Sequence, residues 1–130
     1  MISSHVIANY TELISLTNVL STLKNEGKIP IAILYGSFAK GNPHPRSDID
    51  LAVYPEGRGE NEVIDIIDTI LMSAERDISI LRLDDEDESP FIVQEALKGI
   101  HLVEPDRNLL YEINHRVLHE SESIRYRRNM

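Results

Sequence analysis

Asp48-Ile49-Asp50 sets two carboxylates two residues apart at the start of an apolar run. Ten residues separate it from Gly36-Ser37, which closes an earlier apolar run. Residues two apart on a strand point the same way, about 6.5–7 Å from each other along the backbone, so the two acids share a face. Carboxylates brought that close repel. At about 4 Å and an effective dielectric of about 20, the cost is on the order of 4 kcal/mol. A raised pKa on one acid relieves it, and so does a divalent cation between them. Hard oxygen donors suit Mg²⁺, which characteristically binds one or two carboxylates together with substrate phosphates and several waters. The plainer alternative has Asp48 capping the loop and Asp50 in solvent at a strand edge.

The glycine-serine turn sharpens the choice. A glycine directly after a strand lets the backbone approach a ligand, and Ser37 adds a hydroxyl and an N–H that can hold a phosphate oxygen. A P-loop is excluded, because it ends in Gly-Lys-Ser/Thr and here Lys40 precedes Gly41 and Asn42. A serine hydrolase finds no support either: no small-residue elbow follows Ser37, and no histidine or acid is visibly paired to it. Lys40 and Arg46, in the loop between turn and acids, could serve a phosphate or simply be solvated charges. His44, between Pro43 and Pro45, reads as surface. His115 and His119 stand one helical turn apart but have no third ligand in the sequence.

The elements that position these residues follow from periodicity. Apolar residues from Val6 to Leu23 recur at three and four, predicting an amphipathic helix over Ser4–Leu23 that ends near Gly27. Ile29–Tyr35 reads as a strand feeding into Gly36, and Ile49, Leu51 and Val53 alternate with Asp48, Asp50 and Ala52 as a second. A helix over Asn61–Ala74 and a strand over Asp77–Leu83 follow. Ser89 as N-cap, Pro90 and Gly99 bracket a helix over Pro90–Lys98. Ile100–Val103 is a candidate edge strand. Asp106 caps a final helix whose stripe of Leu109, Leu110, Ile113 and Val117 serves the core or a partner contact. Arg82 falls on the face of its strand opposite Asp77, which weakens any role for it. The order predicts an α/β (α+β) fold: a small mixed sheet flanked by helices.

Composition bounds the function. With 130 residues the chain has room for one domain, residues 1–130, and for a real core. A net charge of -9 argues against direct nucleic-acid binding, since a polyanion would meet a repulsive field. No run approaches the roughly 20 apolar residues that span a bilayer, so no membrane role is expected. The N-terminus lacks the order of a secretory signal, making the location cytoplasmic by expectation. Zero cysteines exclude disulfides, thiolate zinc sites and thiol catalysis. The acidic run from Asp84 to Glu88 reads as a solvated loop. The basic end with Arg125, Arg127 and Arg128 reads as a tail or as a contact for an acidic partner.

Gly36-Ser37, ten residues and Asp48-Ile49-Asp50 together resemble the signature of the nucleotidyltransferase superfamily that includes DNA polymerase beta. The fuller string "GSFAKGNPHPRSDIDLAV" is similar to its minimal nucleotidyltransferase (MNT) branch, the MntA-type antitoxins paired with HEPN ribonuclease toxins. The resemblance implies a polymerase beta-like fold and two Mg²⁺ ions held by Asp48, Asp50 and a third acid on a neighbouring strand, for which Asp77 is the candidate. It implies Gly36 and Ser37, with Lys40 and Arg46, at the triphosphate of an ATP substrate. It further implies transfer of AMP to a tyrosine of a cognate HEPN toxin, within a hetero-oligomer with that toxin. Two other readings stand beside this one: an idle antitoxin acting by occlusion, and a transferase for a small molecule such as an aminoglycoside.

Overall fold

The computed structural model describes residues 11–43 and 47–128, with side chains placed for 13–43 and 47–124. Its elements in chain order are α1 (Thr11–Asn25), β1 (Ile31–Tyr35), α2 (Gly36–Ala39), β2 (Ile49–Tyr54) and α3 (Glu60–Leu71). They continue with β3 (Ile78–Arg82), α4 (Pro90–Leu97), β4 (Ile100–His101) and α5 (Arg107–Arg128). The strands form one mixed sheet in the order β3-β2-β1-β4. β1 runs antiparallel to β2 and β4, while β2 and β3 are parallel. Parallel neighbours need a long crossover, and α3 supplies it.

Alternation along the strands divides the core in two. Ala32 and Leu34 of β1 and Ile49, Leu51 and Val53 of β2 are buried against Leu13, Leu16 and Leu20 of α1 and Ile66 and Ile70 of α3. The opposite parity, Ile31, Ile33, Ala52 and Leu81, packs against Val93 and Ala96 of α4 and Ile113 and Val117 of α5. Helices therefore cover both faces of the sheet. Asp48 and Asp50 have the parity of Ala52, which places them on the α4 and α5 face at the mouth of β2.

Most expected elements are present, with shifted ends. Residues 4–10 of the first expected helix lie outside the described residues, as do His44 and Arg46. α1 closes where expected: Gly27 takes a φ of +75°, and Lys28 N donates to Leu23 O at 2.9 Å, a helix end that glycine adopts without a Cβ penalty. β1 starts two residues later than the apolar run, and α3 stops at Leu71. β4 spans two residues rather than four, although Leu102 N still donates to Ala32 O at 2.8 Å. Asp106 caps α5 as expected, its Oδ1 accepting from Leu109 N at 3.1 Å. Ser89 stands at the N-cap of α4 with no side-chain capping bond. On α5, Ile113 and Val117 belong to the core, which settles the choice between core and partner contact for those two residues. No described helix is long and apolar enough to cross a membrane.

Candidate active site

β1 ends at Tyr35 and the chain turns at once into the single turn of α2. Gly36 makes the bend possible with a φ of +71°, a conformation that costs an L-residue roughly 1–2 kcal/mol. A second constraint acts at the same place. The antiparallel register pairs Tyr35 with Asp50, so the Asp50 side chain lies against Gly36. A Cβ at residue 36 would overlap Asp50 Oδ2 and stand 3.1 Å from its Cγ. The Gly36 turn and Asp50 of the acid pair thus meet in direct contact, across ten residues of loop.

The electrostatics follow from that packing. Burial, and after it the Asp48 charge, pushes the Asp50 carboxyl above its ordinary value. The Tyr35 phenol beside it is raised as well, by burial first and then by Asp50 and by Glu88 from the loop between β3 and α4. Asp48 is exposed. Asp50 is thus a half-buried carboxylate beside the like charge of an exposed one. A divalent ion suits the pair in kind, since both donors are hard oxygens and the pair carries charge in need of a counterion.

Asp77 lies just ahead of β3, where its carbonyl accepts from Ile49 N at 2.9 Å. Its backbone is thus tied to the acid strand, while its side chain is exposed. Among the described residues, no three His, Cys, Asp or Glu side chains are grouped so as to hold a metal ion. Level with Asp50 on β3 is Ser79. Among the described residues His115 and His119 belong to no such metal-holding group, and His115 stacks on Tyr111, ring centroids 6.1 Å apart. Arg82 is engaged elsewhere, donating to Asp84 and Glu60 at 2.8 and 2.9 Å.

One positioning group escapes a reading of the sequence. Arg76, on the turn into β3, donates from Nη1 to the Ser47 carbonyl at 3.0 Å, and its guanidinium stands 5.1 Å from the centre of the Phe38 ring. Phe38 is the buried residue of α2, and Ser47 directly precedes Asp48. A single side chain therefore spans α2 and the approach to the acids. Beside that turn a cavity of about 350 Å³ is walled by Tyr35, Gly36, Ala39 and Lys40 on one side and by the end of α4 on the other. A larger cavity of about 530 Å³ lies between α4 and α5, lined by Leu97, Tyr111 and Leu118; Asp48, Asp50 and Asp77 line neither cavity.

The family model of the polymerase beta nucleotidyltransferase domain matches residues 17–108, from within α1 through the turn, the acid pair and β4. The chain belongs to this family. For this nucleotidyltransferase, solved structures carry the likeness over nearly the whole length. A toxin-antitoxin structure with AMP-PNP is 18% identical, with a TM-score of 0.65 over 87% of this chain and 92% of that one. A tri-AMPylated Shewanella oneidensis HEPN toxin in complex with MNT antitoxin gives 14%, 0.61, 91% and 92%. The toxin-antitoxin MntA-HepT gives 14%, 0.61, 89% and 92%. At such identities the likeness establishes the fold. No curated protein matches the nucleotidyltransferase by sequence.

Proposed function

We propose that this nucleotidyltransferase is the antitoxin of a HEPN toxin and neutralises it by moving AMP from ATP onto a tyrosine hydroxyl. The observation that carries the reading is the seat of Asp50 against Gly36, which joins an acid pair to a phosphate turn. The similar complex of a tri-AMPylated HEPN toxin with MNT antitoxin supports the choice of a toxin as acceptor. In the transfer, the tyrosine oxygen attacks the α-phosphorus, the bond to the bridging oxygen breaks, and pyrophosphate leaves. Gly36 and Ser37 hold the triphosphate, and Lys40 and Arg46 offset its charge. Asp48 and Asp50 would hold the Mg²⁺ ions, and Asp77, exposed at the mouth of β3, would accept the tyrosine proton. When bound, magnesium supplies charge neutralisation for the triphosphate and the leaving pyrophosphate.

The occlusion reading draws on one observation: among the described residues no three His, Cys, Asp or Glu side chains are grouped so as to hold a metal ion. Incubating the chain with Mg²⁺, α-labelled ATP and a HEPN protein separates the two. Label on the toxin that vanishes with Asp48→Ala or Asp50→Ala supports transfer. Toxin inhibition that survives both substitutions, with no label, contradicts it.

A further inference from the structure

We infer that Lys98, the residue after α4, is a second cation for the triphosphate tail, facing Lys40 across the Gly36 turn. The inference rests on the transfer reading and adds to it a residue that discriminates a triphosphate from a monophosphate.

Backbone pairing places Lys98. β4 runs antiparallel to β1 with Ile33 beside His101 and Leu34 beside Ile100. Lys98 caps α4 two residues before that pairing begins, and it lines one cavity with Gly36, two residues beyond Leu34. Gly99 explains how the chain comes so close. A Cβ there would overlap the Leu34 carbonyl oxygen and stand 2.9 Å from Ile33 Cγ2, so the end of α4 is pressed onto β1 just before the phosphate turn. Lys98 and Lys40 accordingly line the same cavity of about 350 Å³ with Gly36.

Charge gives the position its purpose. The chain carries a net charge of -9, and a nucleotide at this turn must approach Asp48 and Asp50. Cations on the far side of the turn lower that barrier. Arg82 serves Asp84 and Glu60 instead. The partner of Lys98 is Glu95 at 3.9 Å, with side chains 76% and 64% exposed. So exposed a pair holds its members weakly, and the lysine stem can swing its ammonium to a phosphate. Glu95 lines the same cavity and opposes an anion there, which supplies a second handle on the same idea.

Calorimetric titration of the full chain with AMP-PNP and with AMP, each with Mg²⁺, tests the inference. Lys98→Ala is expected to weaken AMP-PNP by about tenfold, the scale of one lost charge-assisted contact at an exposed site, and AMP by less than about twofold. Lys98→Arg keeps most of the affinity, Glu95→Gln strengthens AMP-PNP, and Lys28→Ala, on another part of the surface, changes neither ligand. Thermal melting of Lys98→Ala is expected to match the wild type, because the side chain is exposed. Equal affinity of wild type and Lys98→Ala for AMP-PNP overturns the inference while the transfer reading stands. So does an equal loss for AMP and AMP-PNP. A wild-type chain that binds no AMP-PNP overturns both.

Discussion

Replacing Gly36 with alanine puts a methyl group where the Asp50 carboxylate stands. Two costs arise. The first is the left-handed backbone, roughly 1–2 kcal/mol for an L-residue. The second is local: the new Cβ would overlap Asp50 Oδ2 and approach its Cγ and Cβ to 3.1 and 3.3 Å. Asp50 sits within the paired stretch of β2 and cannot retreat without disturbing its register with Tyr35, so its carboxylate has to turn from its seat. Gly41 provides the control, because its φ is +77° and nothing lies within 4 Å of the Cβ it would gain. Gly41→Ala therefore carries the backbone cost alone. In thermal melts Gly41→Ala is expected to lose about 1–2 kcal/mol, roughly 3–10 °C for a chain of this size, and Gly36→Ala more than that. In transfer of label from ATP, Gly41→Ala is expected within about threefold of wild type, whereas Gly36→Ala falls by about 100-fold or more, the scale of an ångström-sized misplacement. Gly36→Ala that transfers within about threefold of Gly41→Ala refutes the contact as a requirement of the chemistry.

Arg76→Ala removes the bond to the Ser47 carbonyl and the contact with Phe38. Urea unfolding is expected to show a loss of about 1–3 kcal/mol, and transfer kinetics a lower kcat, with Arg76→Lys recovering little of either. Burial holds the His101 pKa below its ordinary value, with Glu104 raising it and Arg107 lowering it to lesser extents. The folded chain thus binds fewer protons than the unfolded one below about pH 6.5, and stability falls as pH drops through that value toward the folded pKa. His101→Gln should flatten this part of the curve, as read by melting at pH 5 to 7.5. Ile113→Ala, in the core beneath α5, is expected to cost about 2–5 kcal/mol in urea unfolding. Tyr111→Ala, at a side chain 71% exposed, should cost under about 0.5 kcal/mol.

Features carried by local period were legible in the sequence. Alternation set Asp50 on one face of β2 with Asp48 just ahead of the strand, and three-four spacing announced α1, α3 and the buried stripe of α5. Features that depend on pairing were not. Asp77 reads as a strand residue from its neighbours, yet β3 begins one residue later, and the position level with Asp50 falls to Ser79. α2 is four residues long, too short to show a period, and so reads as a plain turn. The hold of Arg76 on Ser47 spans 29 residues, a separation no local pattern reports. Lys98 looks like an ordinary surface lysine until β4 pairs with β1. The like-charge strain at Asp50 was foreseen from spacing. Its larger cause, burial against the Gly36 turn, needed the fold.

Manganese, which shares the oxygen preference of magnesium and is visible by electron paramagnetic resonance, probes the acid pair most directly. Titrating the chain with Mn²⁺ in the presence of AMP-PNP is expected to give two bound ions per chain in the wild type, with that binding lost in Asp50→Asn and in Asp48→Asn. Equal Mn²⁺ uptake by the wild type and both variants would contradict the assignment of these carboxylates as the metal-holding centre.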